Sequence, residues 1–142
     1  MTPFFQKEIA MKFIKSNEKL IAIICEAHEF KKGLNFITPD DLFIQTGLWW
    51  YDKGKILDNH IHKKNQRITD LTQESIYVIK GSLKVNLFDE EMQFIESVII
   101  NKGDVAIMSF GGHGYEILEN DTMVIESKNG PFIGVAEDKK KF

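Results

Sequence analysis

From Leu20 to Ile125 the chain breaks into short apolar stretches, separated by turn-forming residues at intervals of roughly 8–12 residues. This spacing constrains the fold more than any other feature. Leu20–Cys25, Phe43–Tyr51, Glu74–Ile79, Phe94–Ile100, Tyr115–Leu118 and Met123–Ile125 read as strands. Leu83, Val85 and Leu87 alternate strictly, as do Val105 and Ile107, which is the period of a half-buried strand. Lys31-Lys32-Gly33, Pro39-Asp40-Asp41, Lys80-Gly81, Asp89-Glu90-Glu91, Asn101-Lys102-Gly103 and Glu119-Asn120-Asp121 punctuate them as turns. Asp52-Lys53-Gly54 turns the chain into a further strand running to His62. Most connections are too short for a crossover, so pairing is antiparallel and the class is an all-β sandwich or barrel. Closing such a sheet shields its edges and leaves an interior that can hold a site. The one helical signal is at the start: Thr2 caps, Pro3 follows, and Phe5, Ile9 and Phe13 recur at helical spacing.

The chain has 142 residues, which fits one domain, with 43% hydrophobic and 27% charged residues. A chain of this size buries about two-thirds of its unfolded surface, enough for one core without disulfides. Its single cysteine, Cys25, follows Ile23 and Ile24 and reads as a buried strand thiol. A net charge of −3 argues against broad binding to nucleic acid or anionic lipid. The longest apolar run, Leu20–Cys25, is far below the ~20 residues of a membrane span. Met1–Glu8 is not a basic region leading into an apolar stretch, so a cytoplasmic protein is expected. The barrel signatures run from about 43 to 126. The Phe- and Ile-rich extension through about residue 36 is expected to pair with a second subunit as a homodimer.

Chemistry concentrates on the histidines. His60 and His62 are at i and i+2, so on one strand both imidazoles project to one face and Ile61 to the other. Two neutral imidazoles side by side make half of a transition-metal site, whereas two surface histidines are the plainer reading. Glu74 shares a face with Ile76 and Val78 by parity; if those line the interior, its carboxylate points inward at the rim, where a cation is the usual remedy. Alternatively it sits at a solvent-exposed strand end. His113 lies in Gly111-Gly112-His113-Gly114-Tyr115, where the glycines permit a bend that aims it inward, with Tyr115 on the same face. His28, outside this group, reads as surface.

These spacings resemble a family. Gly54, five residues, His60-Ile61-His62, then Glu74, six residues, Gly81 looks like the first cupin motif. Gly103, five residues, Ser109-Phe110-Gly111 and His113 is similar to the second. Thr72-Gln73-Glu74, Gly111–Glu116 and Gly130-Pro131-Phe132 look like small single-domain cupins of bacterial surface-polysaccharide gene clusters. The resemblance implies a small antiparallel jelly-roll β-barrel in which His60, His62, Glu74 and His113 bind one divalent metal. Four features depart from the motifs. Eleven residues, 63–73, separate His62 from Glu74; Ser109 replaces a proline; His113 comes one residue early; and Ile117 stands in place of the usual asparagine. Gln73 competes with Glu74 as the ligand, although the distance to Gly81 favours Glu74. A longer loop is thermodynamically cheap.

Three imidazoles and one carboxylate suit Fe, Mn, Co, Ni, Cu or Zn. Such an ion leaves positions for a hydroxy-ketone, diol or keto acid and acts as a Lewis acid, or with iron binds dioxygen. The function this implies is an isomerase, epimerase or oxygenase acting on a sugar, a sugar nucleotide or another small oxygenated metabolite. A metal-independent isomerase with a histidine base and Tyr115 as acid, and a non-catalytic saccharide-binding module, are the alternatives. Around the ligands, Glu126 interrupts the apolar run Met123-Val124-Ile125 as a candidate base or as the polar face of an edge strand. Arg67 is a candidate for binding a phosphate or carboxylate, or is simply solvated. Trp49 and Trp50 face opposite sides of one strand: one is expected in the core, the other to wall a sugar pocket or cover a dimer surface.

Overall fold

The computed structural model describes residues 10–142, and these are almost wholly β. β1 (Lys12–Ser16) and β2 (Lys19–Cys25) form a hairpin. Its turn residues, Asn17 and Glu18, have φ of 49° and 66°, and a turn with both φ positive matches the twist of the flanking strands. Phe13 therefore lies in a strand, not in a helix: Ile14 is buried while its neighbours stay outside, so the period of two wins. The helix start at Thr2 and Pro3, with Phe5 and Ile9, lies outside the described residues.

β3 (Gly33–Phe36) and β4 (Gly47–Trp50) make a second hairpin. Then follow β5 (Glu74–Lys80), β6 (Ser82–Phe88), β7 (Phe94–Asn101), β8 (Val105–Met108), β9 (Gly112–Ile117), β10 (Met123–Lys128) and one helical turn, α1 (Val135–Asp138). The strands form a five-stranded sheet in the order β1-β2-β8-β5-β10 and a three-stranded sheet in the order β7-β6-β9, with every pair antiparallel. The two sheets share one core. Ala22, Ile24, Ile76, Val78, Ala106 and Met108 from the larger sheet meet Leu83, Val85, Leu87 and Ile100 from the smaller. The outer face of the larger sheet is apolar too, and Ile37 and Ile44 cover Ile23, Cys25, Val105 and Ile107 there. Burial, then the Glu29, Asp104 and Glu26 charges, push the Cys25 thiol up to about 11, so it is inert at neutral pH. Among the described residues no helix is long and apolar enough to cross a membrane.

Two expectations change. The strand running to His62 does not form. Residues 52–68 are exposed throughout, and among the described residues no strand pairs with them. Neither tryptophan enters the core. Trp49 is 68% and Trp50 49% exposed, because β4 reaches the core only through Leu48 and then leaves it.

The bend into β9 depends on Gly111, whose φ is 77° and whose missing Cβ would collide with the Phe88 carbonyl oxygen. Gly111→Ala is expected to cost about 2 kcal/mol in urea unfolding. An unchanged midpoint would show that this turn is not a constraint.

Candidate active site

Glu74 opens β5 facing the core, with 6% of its surface exposed. β9 faces it from the opposite sheet. Leu87 and Val85, both buried, pair with His113 and Tyr115, and so set these two side chains inward. They converge on one carboxylate oxygen. Tyr115 Oη donates to Glu74 Oε1 at 2.5 Å, and His113 Nε2 lies 3.3 Å from the same atom. The two rings are tilted, with centroids 5.5 Å apart. Glu126 joins from β10. It pairs in register with Ile76, two residues beyond Glu74, and so lies on the same face.

The electrostatics follow from this packing. Burial is the largest single effect on Glu74 and raises its pKa. The hydrogen bonds from His113 and Tyr115 and the His113 charge together outweigh burial and lower it from 4.5 to about 2. Burial, then the hydrogen bond to Glu74 and the charges of Glu74 and Glu126, push the Tyr115 phenol far above its usual range. Tyr115 therefore keeps its proton and directs it at Glu74.

A cavity of about 170 Å³ adjoins this cluster, lined by Ile76, Leu83, Tyr115, Ile117, Val124 and Glu126. It opens between β9 and β10, the edge strands of the two sheets. Four apolar side chains with two polar groups form the kind of pocket that orients a small molecule. A larger cavity of about 340 Å³ is lined by Asp89, Glu90, Lys140, Phe110 and Phe142, among others. Its Asp89 already accepts from the backbone N–H groups of Glu91 and Gln93. Tyr115 and Glu126 line the smaller cavity, and Tyr115 connects it to Glu74 and His113, which stand outside its lining.

The structure separates the remaining candidates from this cluster. His60 and His62 are neighbours, with ring centroids 5.1 Å apart, but they stand on the exposed stretch 52–68. His60 Nδ1 lies 3.0 Å from the Asp58 carbonyl oxygen. Arg67 is on the same exposed stretch, and Trp50 is at the end of the β3–β4 hairpin; neither lines the cavity. His28 is exposed between Glu26 and Glu29. Gln73 is engaged elsewhere: its Oε1 accepts from the N–H groups of Phe43 and Ile44, and its Nε2 donates to the Ser109 carbonyl. Among the described residues no group of three or more His, Cys, Asp or Glu side chains is arranged to hold a metal ion. Of the four residues that the cupin resemblance assigns to a metal, Glu74 and His113 meet in the core, while His60 and His62 stand together on the exposed stretch.

The approach of Glu126 to Glu74 was open to sequence reasoning only through register. Glu126 interrupts an apolar run and Glu74 shares a face with Ile76 and Val78, but nothing local says that β10 pairs with β5. Comparison with family models, with curated proteins and with solved structures finds no match to this chain.

Proposed function

We propose that the chain is a proton-transfer enzyme of jelly-roll, cupin-like architecture. It isomerises or epimerises a sugar or another small hydroxy-carbonyl metabolite in the cavity between β9 and β10. One observation carries this reading: His113 and Tyr115 from one sheet grip the Glu74 carboxylate of the other, beside a cavity whose wall holds Glu126. Glu74 is held too acidic to serve as a base at neutral pH, so its role is to orient the His113 ring. His113 does not line the cavity itself; held at Nε2, it has Nδ1 available for the proton of a substrate that extends from the cavity past Tyr115. Tyr115, whose proton is committed to Glu74, positions the carboxylate instead of acting as the acid. Glu126, a carboxylate on the cavity wall, accepts the substrate's hydroxyl proton and delivers it to the neighbouring carbonyl oxygen, while His113 moves the carbon-bound proton. Ile76, Leu83 and Val124 pack the carbon skeleton and limit water.

The test is deuterium uptake from D2O into a panel of ketoses, aldoses and keto-sugars, followed by mass spectrometry. Uptake at the carbon next to the carbonyl, abolished in Glu126→Gln, is the expected result. A ligand that protects against unfolding without any exchange would instead mark a saccharide-binding module.

A further inference from the structure

The stretch 52–68 has the pattern of a strand and the exposure of a tail. Ile56, Ile61 and Ile68 are 79%, 88% and 78% exposed. Apart from the ion pair of Lys32 with Asp52 at its start, its hydrogen bonds are local: His60 with the Asp58 carbonyl, Asn65 with the Lys63 carbonyl, and the Lys55 N–H with the Asp52 carbonyl. Water satisfies the backbone of such a stretch, but its three exposed isoleucines are apolar area that a partner surface would remove from solvent. Meanwhile, among the described residues, the outer edges of β9 and β10 have no strand partner on either side of the cavity, with Ile117, Met123 and Ile125 exposed along them. Charge fits as well. From Asp52 to Asp70 there are five lysines and arginines against three aspartates. From Gly112 to Lys128 there are four carboxylates against one lysine.

We infer that residues 54–68 of one copy add as a strand to the β9 edge of a second copy, carrying His60 and His62 to the partner's Glu74 and His113. The structure holds this stretch off its own barrel while leaving the β9 edge open, so the acceptor is a second chain. Strand addition satisfies both sets of backbone groups and blunts an exposed edge. By symmetry each copy donates and receives, which closes the assembly as a two-fold dimer. The side-chain period of two then fixes what meets. With His60 and His62 beside inward-facing His113 and Tyr115, Ile61 lies opposite Gly114 on the outer face, whichever way the strand runs. Two imidazoles from one copy and the carboxylate and imidazole of the other then face one cavity, so the site is shared between copies.

Gly114 has open space for a side chain, and the native Cys25 is buried, so a disulfide can test this register. Equal amounts of Ile61→Cys and Gly114→Cys protein, mixed and air-oxidised, are expected to give a disulfide-linked heterodimer on a non-reducing gel. In light scattering the native chain is expected to be a dimer. Ile56→Ser/Ile61→Ser/Ile68→Ser removes six isoleucines per two-fold dimer and is expected to raise its dissociation constant about a millionfold, at about tenfold per isoleucine. If the triple variant fails to fold, the disulfide carries the test alone. A native monomer at about 50 μM, a concentration at which a dimer of even 1 μM dissociation constant is mostly assembled, would overturn the inference. So would a double Ile61→Cys/Gly114→Cys variant that closes its disulfide within one chain. Neither readout uses a substrate, so failure of the isomerase reading leaves this result standing, and the reverse also holds.

Discussion

His113→Ala is expected to slow substrate deuterium exchange by about 10² to 10⁴-fold, the range over which a positioned acid–base group acts. The fold should survive, because His113 sits at the rim of the core with 29% of its side chain exposed, and Val85 and Leu87 hold β9 from beneath. Glu74→Gln should fall less far, since an amide still accepts from Tyr115 but no longer stabilises a protonated imidazole. Tyr115→Phe should fall least, because it removes only a positioning bond. This order distinguishes a histidine base from a tyrosine acid. If Tyr115→Phe is the most damaged and His113→Ala the least, the assignment of roles is wrong. The measurement is the exchange rate of each variant at saturating substrate, with circular dichroism confirming the fold.

The second large effect is on acid stability. The folded pKa of Glu74 is depressed, from 4.5 to about 2, so its ionised form stabilises the fold above pH 4.5, and that contribution is lost as pH falls toward 2. A shift of this size corresponds to about 3 kcal/mol. The native chain is expected to lose that much more stability between pH 5 and 2 than Glu74→Gln, whose amide does not titrate. Urea unfolding at a series of pH values checks this. Parallel curves for the two proteins would show that the Glu74 carboxylate is not held ionised by His113 and Tyr115.

Much of the inner lining was legible before any coordinates. Leu83, Val85 and Leu87 alternate in the sequence and are all buried. Glu74 shares parity with Ile76 and Val78, and the three face the core together. His113 and Tyr115 share parity on β9 and both reach Glu74. What misled was context. Phe13 follows Phe5 and Ile9 at helical spacing, yet a tight turn at Asn17-Glu18 folds it into a hairpin. Trp49 and Trp50 look like core residues but sit on a two-stranded ribbon with little beneath it. His60 and His62 occupy a stretch with strand composition and, among the described residues, no strand beside it.

The division has a physical cause. Alternation along a strand is a local property of the backbone, set by each residue's own geometry, so the side on which a residue lies can be read from its neighbours. Turns announce themselves through residues suited to unusual dihedral angles. Which strands lie together is decided by bringing distant segments into contact, where the loop cost is nearly indifferent to length and the gain comes from the whole core. Sequence alone determined that Glu74 shares a face with Ile76 and Val78, and His113 with Tyr115; the structure turns those faces inward. Only the tertiary structure decided that β5 and β9 stand on opposing sheets close enough for those groups to bond, and that the paired histidines remain outside, on an extended stretch facing solvent.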